Sequence, residues 1–164
     1  MDNHAIIKQV VVETLGQIPP ELRLQLKPAG AIKHVKKSSK GLDILKLTIT
    51  GKTRDGFWHP DWCAYELGLG TYEGKPSWGA AGFHCFTNNA ACGEGKFQRN
   101  VREILEQAKT TQLPEFGLEG IQTLSLKRTY LRTQFPEFPA ALAATDLARL
   151  ITSTFPQFQR LLGK

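Results

Sequence analysis

The chain has 164 residues, 41% of them hydrophobic and 22% charged, with a net charge of +6. That length and balance suit one domain with its own core (1–164), and they exclude a disordered tail, a collagenous fibre and a disulfide scaffold. The opening Met-Asp-Asn-His carries no basic n-region and no apolar run approaches the roughly 18 residues of a membrane span, so neither export nor a membrane partner is expected.

Three cysteines, Cys63, Cys85 and Cys92, cannot all pair within one chain. A reducing, cytoplasmic setting is therefore expected. The positive charge is unevenly spread. Residues 27–54 hold Lys27, Lys33, Lys36, Lys37, Lys40, Lys46, Lys52 and Arg54 against the single acid Asp43, a net +7 that leaves the remainder at −1.

From Asn3 onward, Ile6, Ile7, Val10, Val11 and Leu15 follow helical spacing, with Asp2 or Asn3 as the cap and Gly16 as the end. Ile18-Pro19-Pro20 forbids continuation. Residues 31–37 and 42–52 flank Ser38-Ser39-Lys40-Gly41 and read as a β-hairpin, with Leu45, Leu47 and Ile49 alternating against Lys46, Thr48 and Thr50. A second hairpin spans 62–72 and 78–87 around Glu73-Gly74-Lys75-Pro76-Ser77. Its arms are rich in Gly and Ala, which lets another element or a ligand come close.

Phe97, Val101, Ile104, Leu105 and Ala108 form the cleanest helical stripe in the chain. After Pro114 and Gly117, residues 120–130 read as a strand. Pro139 suits the first turn of a last helix through about Thr154, with Leu142, Leu147, Leu150 and Ile151 inward. The similar tetrads 113–116, 135–138 and 155–158 read as loop-to-core anchors rather than repeats, because the segments between them share nothing. The expectation is an α+β domain, an antiparallel sheet of two hairpins plus one later strand flanked by three helices, in the order α-ββ-ββ-α-β-α.

Lys33, Lys36, Lys37, Lys40 and Lys46 on one ribbon would make a stripe that displaces counterions from a phosphate backbone. Lys52, Arg54 and the group Phe57, Trp58 and His59 extend it, the aromatics as stacking platforms for bases. The competing reading is a solvated hairpin whose lysines protect a sheet edge. The one-sided density favours binding, so the expected function is a DNA- or RNA-binding module, within reach of a larger nucleoprotein, mobile-element or defence assembly and its protein partners.

Pro60-Asp61 followed by Glu73-Gly74-Lys75 resembles the Pro-Asp…Glu-x-Lys pattern of metal-dependent nucleases. The resemblance implies that Asp61 and Glu73 hold Mg²⁺ and Lys75 positions the attacking water, with Asp43 or Glu66 as an extra carboxylate. Gly74 to Ser77 nevertheless reads as a turn, whereas that family carries the lysine on a strand, and the family is left unassigned.

His59, Cys63, His84 and Cys92 offer nitrogen and sulfur ligands for zinc without a standard spacing. Cys63 or Cys92 beside His59 or His84 would alternatively make a nucleophilic pair. Cys85, in phase with Phe83, reads as core filler. Glycines before the helix at Lys96 and Arg99 suggest an anion site, though the loop lacks the P-loop pattern. Lys127, Arg128 and Arg132 around Tyr130 read as ordinary exposed residues. A third class is a protein-interaction domain whose basic ribbon meets an acidic partner.

Overall fold

The structure, a computed structural model, describes residues 2–28, 36–37, 43–49, 57–58, 63–72, 74–86, 95–120 and 123–163, with 27–28, 36–37 and 43–49 described as backbone alone. Helix α1 (Asn3–Gln17) begins where the Asp2 side chain accepts the Ala5 amide at 2.9 Å. It buries Ile7, Val10, Val11 and Thr14. Gly16 does not end it; the helix runs one residue further, and the extended backbone of Ile18 before Pro19 stops it. A single turn, α2 (Pro20–Arg23), follows.

The strands are β1 (Leu26–Pro28), β2 (Lys36–Lys37), β3 (Asp43–Ile49), β4 (Cys63–Leu69) and β5 (Ser77–Phe86), then β6 (Gly117–Glu119) and β7 (Thr123–Leu131) beyond α3 (Gly95–Thr111). They form one sheet in the order β1-β3-β4-β5-β7-β6, with β2 also on β3, and each of these pairings is antiparallel. The fold is thus the expected mixture of helices and antiparallel sheet in the expected order. Two refinements appear. A short β1 precedes the first hairpin, and the expected strand over 120–130 is itself the longer arm of a β6–β7 hairpin turned by Gly120 at φ +98°.

Helices α1, α3 and α4 (Ala140–Leu161) all lie on one face. Helix α1 packs on β3 and β4, α3 on β6 and β7, and α4 between them on β4 and β5. The strand periodicity makes this one-sidedness legible. Cys63, Tyr65, Leu67 and Leu69 stand opposite Cys85, Phe83, Ala81 and Gly79, and all are buried toward the helices. Residues between them face away, and there the sheet is dressed mainly with small or polar groups: Gly68, Ala80, Gly82, Glu66, His84, Ser125 and Lys127.

The last helix departs from expectation by running through Pro156 to Leu161. Phe155-Pro-Gln-Phe158 is therefore helical, while Leu113 and Phe116 do act as buried loop anchors. Phe155 and Phe158 are wholly buried and complete an aromatic centre, with Trp58 centred 5.3 Å from Phe155 and Phe83 stacked 4.9 Å from Phe158. Burial of two Phe rings, about 1.5–3 kcal/mol each, offsets the helical hydrogen bond that proline removes.

Candidate functional site

Strand register collects the basic segment at one sheet edge. Strand β2 pairs with Asp43 and Ile44 of β3, and β1 with Leu47 to Ile49. Strand β4 pairs with Asp43 to Leu47. A strand has two hydrogen-bonding sides, so β1 and β2 both occupy the one that β4 leaves open. Lys27, Lys36 and Lys37 thus belong to the two outermost strand pieces, and Lys46 to the next strand in, opposite Glu66. Lys33, Lys40, Lys52 and Arg54 lie outside the described residues.

Trp58 corrects the sequence reading. It is 0% exposed, stacked 5.6 Å from Tyr65 and edge-on 4.9 Å from Phe57, so it belongs to the core and offers no face to a base. Phe57 is buried with it. Neither extends the basic stripe.

Of the nuclease-like set, Asp61 and Glu73 lie outside the described residues. Lys75 is exposed and bridges back to Tyr72 across Gly74, whose φ of +71° is the left-handed turn conformation. The turn reading of this stretch holds. Lys96 and Arg99 are exposed in the first turns of α3, and the glycine loop before them lies outside the described residues.

The metal and thiol readings divide across the sheet. Cys63 sits on the helical face, buried opposite Cys85, whereas His84 lies in the alternate phase on the open face. The proposed set His59, Cys63, His84 and Cys92 therefore loses its two described members to opposite sides of a sheet, and those two cannot grip one ion. His59 and Cys92 lie outside the described residues. Burial also shields the Cys63 thiol from an external substrate. Cys85 is core filler, as expected.

On the open face the alternation brings together groups the sequence reading kept apart. Glu66, His84, Phe86, Glu119, Gly120, Thr123, Ser125 and Lys127 line a cleft of about 470 Å³. His84 Nδ1 stands 3.0 Å from Glu66 Oε2, an ion-pair distance off hydrogen-bond alignment. His84 and Ser125 are direct cross-strand partners. The sequence signal is the equal phase of Glu66 and His84 on facing hairpin arms.

Arg128 is a second correction. It is not an ordinary exposed residue, because its Nη1 donates to Oδ2 of the fully buried Asp146 at 3.0 Å. Lys127, in the opposite phase, places its ammonium 5.3 Å from the centre of the Tyr72 ring, and Arg132 lies 4.0 Å over Trp78.

Comparison with family models, curated proteins and solved structures returned no match. Among the described residues no helix is long and apolar enough to cross a membrane.

Proposed function

We propose that this chain binds nucleic acid through the phosphate backbone, using the lysine-bearing sheet edge of β1, β2 and the adjoining β3. The observation that carries the reading is the net +7 of residues 27–54, which accounts for the whole positive excess of the chain. The pairing of both short outer strands on one side of β3 supports it, since it gathers Lys27, Lys36 and Lys37 along a single edge.

Burial of Trp58 narrows the mode. Phosphate contacts fix register without reading bases, so binding follows charge and salt rather than sequence. The chain should be retained on heparin and on random duplex DNA, with log K falling linearly against log salt. The triple variant Lys36→Glu, Lys37→Glu, Lys40→Glu should reduce that slope by about three and lose retention at physiological salt. Unchanged salt-sensitive binding in the triple variant overturns the reading. Cleavage of the DNA in Mg²⁺, abolished by Asp61→Ala, would replace it with the nuclease.

A further inference from the structure

On the helical side of the molecule two adjoining cavities open beside α4. One of about 300 Å³ lies toward the end of α1 and is walled by Gln17, Gln112 and Arg149 among others. The second, about 350 Å³, lies between α3 and α4 and reaches Gln157 and Arg160. Both are lined by Gln112, Thr152 and Ser153, so they read as one groove.

The chemistry of the wall is selective. Its charged members are two arginines, and its other polar members are glutamine amides and Thr or Ser hydroxyls, with no carboxylate among the described lining residues. Arg149 and Arg160 are eleven residues apart on α4, which is three helical turns, so both emerge from one face at a separation of about 16 Å along the axis.

Arg149 is held from behind. Its Nη1 lies 3.7 Å from Oδ1 of buried Asp146, and its other terminal nitrogen donates to the Gln112 carbonyl. A guanidinium has five donors, so this anchoring leaves others for a ligand. Arg160 donates to Gln157 Oε1 at 2.7 Å, which orders a second fork at the far end. Between them Pro156 has no N–H to donate to the carbonyl of Thr152.

We infer that this groove is a binding site for a small phosphorylated, hydroxyl-rich molecule of the sugar-phosphate or nucleoside-phosphate class. An arginine fork grips the phosphate, and the amides and hydroxyls pair with the remainder. A carboxylate-free wall avoids the repulsion that an anion meets on most protein surfaces, where acids and bases are interspersed. The site is independent of the lysine edge and stands or falls separately.

The test is calorimetry on the full chain with three probes: inorganic phosphate, ribose 5-phosphate and ribose. Ribose 5-phosphate should bind saturably, inorganic phosphate about tenfold or more weakly, and ribose not measurably. Thr152→Glu, at an exposed position shared by both cavities, should abolish binding, and Arg160→Gln should weaken it about tenfold. Circular dichroism and thermal unfolding without ligand should match the parent for both variants. The lysine triple variant should bind ribose 5-phosphate like the parent. Absence of saturable binding to either phosphate compound overturns the inference, as does equal binding by folded Thr152→Glu. Loss of binding in the lysine triple variant would move the site to the basic edge and overturn it as well.

Discussion

The hydroxyl of Tyr130 donates to Oδ2 of Asp146 at 2.8 Å, and Arg128 donates to the same oxygen from two residues earlier on β7. One wholly buried carboxylate thus fastens the second turn of the last helix to the next-to-outermost strand. Asp146→Ala would strand the Arg128 charge and the Tyr130 hydroxyl together, at an expected cost of about 3–5 kcal/mol. Tyr130→Phe removes a single partner and should cost about 1–3 kcal/mol. Urea unfolding of the two variants measures the difference, and equal losses would contradict a shared anchor.

Gly82 of β5 lies directly opposite Lys127 of β7 with no room for a side chain. A Cβ built there would stand 2.7 Å from the Leu126 carbonyl oxygen and inside the Lys127 side chain. Gly82→Ala should therefore push these two strands apart and cost about 2 kcal/mol or more, read as a lowered urea midpoint. Gly16→Ala is the matching control. No atom lies within 4 Å of the added carbon in that helix, and the substitution should stabilise by up to about 1 kcal/mol.

Burial, before any other cause, raises the hydroxyls of Tyr65, Tyr72 and Tyr130 above the ordinary value of 10.0. The unfolded chain releases these protons near pH 10 while the folded chain keeps them, so above that pH the unfolded state binds fewer protons and stability falls as pH rises. Each tyrosine contributes a slope of about 1.4 kcal/mol per pH unit, on top of any other groups that titrate there. Unfolding free energies between pH 9 and 11.5 should bend downward near pH 10. Tyrosinate absorbance from these residues should appear with unfolding, not before it.

The Tyr72 hydroxyl is buried with no hydrogen-bond partner among the described residues. Tyr72→Phe should leave stability unchanged or raise it by about 1 kcal/mol, and it should reduce the alkaline slope. A loss of more than about 1 kcal/mol in thermal unfolding would mean the hydroxyl has a partner after all.

Trp58 separates core from interface. Trp58→Ala should cost about 3–5 kcal/mol through the cavity it leaves, whereas Trp58→Phe should keep most stability. Folded Trp58→Phe should bind random DNA with the parent's affinity and salt slope. A selective loss of binding would return this residue to the nucleic-acid interface.

What the sequence made legible follows from period and punctuation. Helix α3 was readable because its apolar spacing is regular over many residues, and the β4–β5 hairpin because Gly74 and Pro76 mark its turn. The tail of α4 was not, since Pro156 is a local stop signal and its override comes from Trp58 and Phe83, distant in sequence. Trp58 itself was misread because an aromatic next to a basic run looks the same whether it stacks on bases or on Tyr65. The Glu66–His84 cleft could have been found by aligning the hairpin arms about the turn. The Asp146–Arg128 bond could not, because nothing in a helical stripe distinguishes a buried aspartate from a solvated one.

The Thr14 hydroxyl reaches 3.4 Å from the Ala144 carbonyl, 130 residues later in the sequence. During synthesis, at about 5–20 residues per second, this contact between α1 and α4 must therefore wait on the order of 6–25 s after α1 is made. Until then the apolar side of α1 has only β3 and β4, made in between, to pack on.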